Sequence, residues 1–210
     1  MNHSNLQRVL KLAGALIRQP QYTPPYLISN LSPSRHSPLA QNLPWWSFAA
    51  IREADRLFPG KHIFEWGSGG STLRYAQKGA RVTAIEDDSS WLAAVEHALQ
   101  QAGVADQVNL RHIPCNFDQP DHFAASAYCL ALSDRHWDVV IIDGQDKTFR
   151  ERITCFRHAD PLMKPGSIIL VDDFWRYEEL LSSNRAQSVR VFESVGPCRI
   201  GVTSTAMFFY

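Results

Sequence analysis

The carboxylates of this chain that are placed to do chemistry stand at the ends of short apolar runs. Glu65 nearly closes "HIFEW" and precedes the turn Gly67-Ser68-Gly69-Gly70-Ser71-Thr72. Glu86 closes "RVTAIE" and is followed by Asp87 and Asp88. Asp143 closes "WDVVIID", and Asp172 and Asp173 close "SIILVDD". Acids gathered in one place raise one another's pKa unless a cation or base joins them. The chemistry open to such a set is the binding of ammonium groups, of sugar hydroxyls or of a hard divalent ion.

The glycine turn narrows this. Gly67, Ser68, Gly69 and Gly70 let the backbone approach a ligand without side-chain clashes. A dinucleotide fingerprint G-x-G-x-x-G needs a third glycine where this chain has Thr72, and the Gly-Lys-Ser/Thr end of a P-loop is absent. A carboxylate at the start of the turn gains nothing from phosphate. It attracts an ammonium group, directly or through water, while the turn accommodates a carboxylate and a ribose; S-adenosylmethionine has all three. Glu86, at the end of the second run, suits ribose hydroxyls but does so equally for a nicotinamide dinucleotide. Glu65 is what separates the two cofactors. A nicotinamide-dependent oxidoreductase and a non-catalytic cofactor-binding protein remain the rival classes.

These residues need a scaffold that brings strand ends together. From residue 61 short apolar runs alternate with helical segments: "HIFEW" with a helix from about 71 to 78, "RVTAIE" (81–86) with 89–103, "VNLRHIP" (108–114) with a short helix near 121–132, "WDVVIID" (137–143) with 148–160, and "SIILVDD" (167–173) with 174–182. Repeated strand–helix units imply an α/β fold with a doubly wound parallel sheet covered on both faces. "SVRVFESVG" and "STAMFFY" have no helix between them and predict a closing antiparallel hairpin. In such a sheet the acids at 143, 172 and 173 share the carboxyl edge, where ligands bind.

"FEWGSGGSTL", "VTAIEDD", "WDVVIIDG" and "LMKPGSIILVDD" together resemble the class I S-adenosylmethionine-dependent methyltransferases, over residues 61–175. The resemblance implies a Rossmann-like sheet of order 3-2-1-4-5-7-6 with strand 7 antiparallel. It places Glu65, Gly67, Ser68 and Gly69 at the methionine end of the cofactor, Glu86 at the ribose, and Asp87 and Trp91 near the adenosine. Gly70 continues the turn, and Ser71 stands where the family turn carries its last glycine. The acids further resemble those of the metal-dependent O-methyltransferases of the catechol and caffeoyl-CoA type. That implies a metal site of Asp143, Asp172 and Asp173, with Mg²⁺ as the ion. Asp143 would also border the cofactor and act in catalysis with Lys147, the candidate base, which stands one residue further on than in the family. The implied reaction moves a methyl group to an oxygen of a small-molecule acceptor.

Other residues have plainer readings. Asp172 is also a candidate cap for the helix expected at 174, and His158 reads as a surface residue. Trp175 is the better pocket candidate, with Trp45 and Trp46 as packing residues and Arg176 exposed. His36 reaches the site if the segment that carries it is a lid.

The 210 residues fit one domain with an appendage: residues 1–44 as an amphipathic helix and proline-rich arm, and 45–210 as the catalytic domain. Leu6, Val9, Leu10, Ala13, Leu16 and Ile17 form one face of that helix, opposite Arg8, Lys11 and Arg18. It reads as docked on the domain, with a membrane surface or a homodimer contact as alternatives. Pro20, Pro24, Pro25, Pro33, Pro38 and Pro44 exclude regular helix from the arm, and "PWWSFAAIREADRLFPG" (44–60) resumes it. Basic and acidic residues balance at 21 each, which argues against nucleic acid as a partner. Cys115, Cys129, Cys155 and Cys198 lack zinc-ligand spacing and predict reduced thiols in the cytoplasm. No apolar run approaches the ~20 residues of a membrane span.

Overall fold

A computed structural model of the chain describes residues 3–33, 36–132 and 135–210, without the side chains of 3–6, 8, 120 and 121. Five parallel strands form where the apolar runs lie: β1 (His62–Trp66), β2 (Arg81–Glu86), β3 (Val108–His112), β4 (Val139–Ile142) and β5 (Ile168–Val171). β6 (Ser188–Val195) and β7 (Val202–Phe209) make the hairpin, and β7 runs antiparallel to β5. The sheet order is β3-β2-β1-β4-β5-β7-β6, as the resemblance implied.

Side chains alternate between two apolar layers. Phe64, Trp66, Val140 and Ile142 enter one with Phe156 and Phe208; Ile63, Val139, Ile141 and Leu170 enter the other with Ala54 and Met207. Register then sets the level of the strand ends. Trp66 lies opposite Ile85 and Ile142, and Ile142 lies opposite Val171. Glu86, Gly67, Asp143 and Asp172 therefore leave the sheet side by side.

In chain order, the helices are α1 (His3–Arg18), α2 (Thr23–Leu31), α3 (Phe48–Leu57), α4 (Gly70–Gln77), α5 (Ser89–Gln101), α6 (Pro120–Phe123) and α7 (Glu151–Ala159). α2 corrects the expectation for the arm. Pro24 and Pro25 fall in its first turn, where an N–H has no helical partner to lose. Near 121–132 only α6 and a 3₁₀ turn at Cys129–Ala131 form. Phe117, Phe123 and Tyr128 gather ring to ring there, which the chain reaches by turning. After β5, Asp173 is left-handed with φ 50°, and the expected helix becomes two 3₁₀ turns, Phe174–Arg176 and Glu178–Leu181.

α1 docks on the hairpin, but not with the face its spacing suggested. Leu12, Ala15 and Leu16 pack inward, and Lys11 pairs with Glu193 at 3.4 Å. Val9, Leu10 and Ile17 are exposed; the side chains of Leu6 and Arg8 lie outside the described residues.

Candidate active site

A cavity of about 750 Å³ opens at the carboxyl edge of the sheet. The arm forms one wall, with His36, Leu39 and Leu43 among its lining. A side chain at Gly70 would overlap the Leu43 carbonyl, so glycine is what lets the arm lie against the turn. Arg74 holds the arm in place, donating to the Asn42 carbonyl at 3.1 Å and pairing with Asp55 at 2.6 Å.

At one end of the cavity, Gly67, Ser68, Gly69, Gly70 and Ser71 all line the wall. Gly67 has φ +87°, and a Cβ on it would sit 2.9 Å from the Gly144 backbone. Glu86 lines the cavity too and ties the turn to β2. Its Oε2 accepts from the Ser68 N–H at 3.0 Å and the Ser68 hydroxyl at 2.7 Å; its Oε1 accepts from the N–H groups of Asp87 and Asp88 at 3.1 and 3.2 Å. The Trp91 indole donates to the Ser68 carbonyl at 2.7 Å, and its ring lies against Gly69. Asp87 lines the same end, where burial and the adjacent Glu86 push its carboxyl up to about 6.

Glu65 is not where the sequence placed it. It is 1% exposed and does not line the cavity. The hydroxyls of Ser71 and Thr72 donate to its two oxygens, the latter at 2.7 Å. Thr72 in turn accepts from the Gly69 N–H at 3.0 Å. Residues 63 and 65 share one face of β1, and at position 65 that face lies under the first turn of α4. Glu65 therefore fastens the turn from below instead of meeting a ligand. Burial raises its carboxyl to about 8 against those two hydrogen bonds, and the charges of Asp143 and Glu86 add to the rise. None of Glu65, Glu86, Asp87 and Asp88 has an ion-pair partner among the described residues.

The other end holds Asp143, Asp172 and Asp173. Asp143 accepts from the Trp46 indole at 2.9 Å and pairs with Arg152 at 3.2 Å. Arg152 also donates to the carbonyls of Gly144, Asp172 and Asp143, clamping the ends of β4 and β5 together. Asp172 accepts from the Thr205 hydroxyl at 2.7 Å, and burial with Asp143 beside it lifts its carboxyl well above the ordinary range. It caps no helix. Asp173 accepts from Arg199 and from the Thr203 hydroxyl, each at 3.2 Å, with Arg176 at 3.9 Å. Burial pushes the Asp173 carboxyl up, but Arg199, Arg152 and Arg176 together hold it below its usual value.

This set does not fit a divalent ion. Such an ion needs oxygens converging on one point with their lone pairs free. Here guanidinium groups, an indole and hydroxyls occupy them, and no group of three His, Cys, Asp or Glu side chains among the described residues could hold an ion. Lys147 is also misplaced for a base at this site. It points to Asp118 at 3.0 Å on the surface and does not line the cavity.

Sequence reasoning missed Arg152, Arg199 and Trp46. Trp45 lines the cavity, whereas Trp175 is 55% exposed and does not. Arg176 stacks between Phe149 and Trp175. His158 is half-buried, edge-on to Trp66.

No family model matches the chain, and no curated protein matches it in sequence. Solved structures do match. The cofactor-bound protein Rv0187 from MTB superposes with a TM-score of 0.61 at 20% identity, over 82% of this chain and 87% of that one. The O-methyltransferase TomG of Streptomyces achromogenes, in complex with SAM, gives 0.58 at 17% identity, over 97% and 99%. An O-methyltransferase from Bacillus cereus, in complex with SAH, gives 0.56 at 20% identity, over 81% and 85%. This chain has the class I methyltransferase fold. Identities this low carry the fold and not the substrate. The glycine turn, Glu86 and Trp91 stand at one end of the cavity, and the arginine-bound acids at the other.

Proposed function

We propose that the protein is an S-adenosylmethionine-dependent methyltransferase acting on an oxygen of a small molecule. The observation that carries this is the uncompensated charge at the glycine turn. Glu86, Asp87 and Asp88 line one end of the cavity, Glu65 lies beneath the turn, and no arginine or lysine pairs with any of them among the described residues. A ligand that brings an ammonium and a sulfonium group completes that end, whereas a pyrophosphate would add to its negative charge. The discriminating role first assigned to Glu65 alone passes to this set. The solved structures above that hold SAM or SAH support the same ligand.

Gly67, Ser68, Gly69, Gly70 and Ser71 would hold the methionine part, with Glu86 at the ribose and Asp87 and Trp91 toward the adenosine. When bound, the cofactor supplies an electrophilic methyl group. The protein's part is to close the glycine turn around it, to hold the acceptor in line and to keep water out. Asp143, fixed by Trp46 and Arg152, would act at the other end as a positioning group.

Among the described residues no helix is long and apolar enough to cross a membrane. A cytoplasmic enzyme is our reading, and the exposed Val9, Leu10 and Ile17 of α1 support pairing of two copies through this helix. The test is calorimetric titration with S-adenosylhomocysteine and, separately, with NAD. We expect binding of the first alone. Glu86→Gln, which keeps size but loses charge, should weaken it about a hundredfold, close to 3 kcal/mol. Binding of NAD without S-adenosylhomocysteine would move the protein to the oxidoreductases.

A further inference from the structure

We propose that Arg199, backed by Arg152, supplies the positive charge at the acceptor end of the cavity, so that this end takes no divalent ion and receives an acceptor oxygen that is already ionised, a carboxylate. The inference rests on the reading of the cavity as a methyl-transfer site.

The first support is the charge balance. The Asp143 carboxylate pairs with Arg152 and the Asp173 carboxylate with Arg199 and Arg176, while Arg152 reaches Asp172 only at its backbone carbonyl. A metal ion would have to displace guanidinium groups from buried carboxylates, and Arg152 is further held by three backbone carbonyls. The acids are met from every side: by Trp46 just before α3, Arg152 from α7, Arg176 after β5, and Arg199, Thr203 and Thr205 from the hairpin.

The second support is that none of the three acids at this end, nor Lys147, is a free proton acceptor among the described residues, and His36 lines the wall formed by the arm. A neutral hydroxyl must lose its proton before or during attack on a methyl group. Lys147 faces the surface. Asp143 has an indole or guanidinium donor on each oxygen. Asp173 is bound by Arg199 and Thr203, and its low pKa makes it a weak base. Asp172 is buried, with the Thr205 hydroxyl donating to one of its oxygens. A carboxylate needs none of these groups. Its oxygen forms a bond to the methyl carbon as the carbon–sulfur bond breaks, and sulfur keeps the electron pair. The products are a methyl ester and a neutral thioether, and no proton moves.

The third support is Arg199 itself. It lies in the turn between β6 and β7 and lines the cavity, with its side chain 31% exposed. One terminal nitrogen donates to the Trp45 carbonyl and the other to Asp173, each at 3.2 Å. Among the described residues the Nε–H and one further hydrogen on each terminal nitrogen have no other partner, a fork suited to a carboxylate. Trp45, half-exposed beside it, offers an apolar surface for the rest of the acceptor.

The test uses the full chain loaded with S-adenosylhomocysteine. Benzoate and benzyl alcohol, alike in shape and different in charge, are titrated by calorimetry, and Mn²⁺ uptake is read by electron paramagnetic resonance. We expect benzoate to bind at least about tenfold tighter than the alcohol, since its hydrogen bonds are charge-assisted. Arg199→Gln should erase that preference while still binding S-adenosylhomocysteine, which shows that the variant folds. Millimolar Mn²⁺ should leave its free spectrum unchanged. Mn²⁺ uptake lost in Asp143→Asn would overturn the inference, as would equal affinity for the two probes or a preference that survives Arg199→Gln. Absence of S-adenosylhomocysteine binding would bring down the methyl-transfer reading and the inference with it; uptake of Mn²⁺ with that ligand bound overturns the inference alone.

Discussion

At the glycine turn, Glu86 takes its hydrogen bonds from three backbone N–H groups and a hydroxyl, and Glu65 takes two from hydroxyls. No guanidinium or ammonium comes within ion-pair distance of either among the described residues. At the ends of β4 and β5 the partly buried Asp143 and Asp173 each have an arginine. Burial without a counter-charge raises the carboxyls of Glu65 and Asp87; at Asp173 the arginines outweigh burial, whereas at Asp143 burial outweighs Arg152 and the carboxyl still stands above its usual value. The contrast assigns the missing charge. One end waits for a cationic ligand, and the other has its cations built in and suits an anionic one.

Removing a built-in cation should break the contrast most severely. Arg152→Met leaves Asp143 and the carbonyls of 143, 144 and 172 without their shared donor. Loss of one partner from a buried pair costs about 3–5 kcal/mol, because the other charge stays buried. Urea unfolding should report a loss of this size, and adding Asp143→Asn should restore part of it. A cost within about 0.5 kcal/mol would mean that water already solvates this end, and the contrast would fail.

Titration sharpens the other side. Glu65 has its folded pKa, about 8, above its usual 4.5, so between those values the folded protein holds more protons than the unfolded chain. The stability of the ligand-free protein should therefore fall as pH rises from about 4.5 to about 8, with Asp87 contributing between its usual 3.8 and about 6. Glu65→Gln should flatten most of that slope in thermal melts across the range. The ligand's ammonium group, which S-adenosylhomocysteine keeps although its thioether is neutral, pulls both pKa values down. S-adenosylhomocysteine should then release protons on binding at pH 7, seen as a binding heat that differs between phosphate and Tris buffers. Its affinity should rise from pH 6 to pH 8, by up to about tenfold per unit for each group released. Proton uptake in place of release would mean that the turn is not short of positive charge.

The unequal legibility of the two ends has a physical origin. Central strands covered on both faces must be apolar, so β1, β4 and β5 stand out as runs, and the acids at their ends are marked by position alone. The glycine turn is equally local. The partners of the acids are not. Trp46, Arg152 and Arg199 come from the segment before α3, from α7 and from the hairpin turn, and nothing in the spacing of Arg152 tells it from Arg150 just before α7 and Arg157 within it, which pair with Glu179 at the surface. Alternation gives the face of Glu65 but not what covers it, so a residue buried under Ser71 and Thr72 reads as a ligand contact. Proline counting failed at α2 for a local reason: two prolines in a first turn do not interrupt a helix.

Lys147 tests the sequence's own version of the acceptor end, and the smallest effect is expected there. It is the cation that the family resemblance put beside the acids, three places after Asp143 and Gly144 begin the loop. The structure leaves it 43% exposed against Asp118, itself 79% exposed. Two long, solvated side chains held in one geometry gain little, since screening and lost rotamer freedom offset the attraction. Lys147→Ala should change stability by less than about 0.5 kcal/mol and leave S-adenosylhomocysteine binding intact. The benzoate preference should persist as well, because the fork of Arg199 and not this ammonium faces the cavity. If Lys147→Ala instead removed that preference while Arg199→Gln spared it, the lysine would be the acceptor-side cation and the loop from 144 to 150 would swing inward on binding.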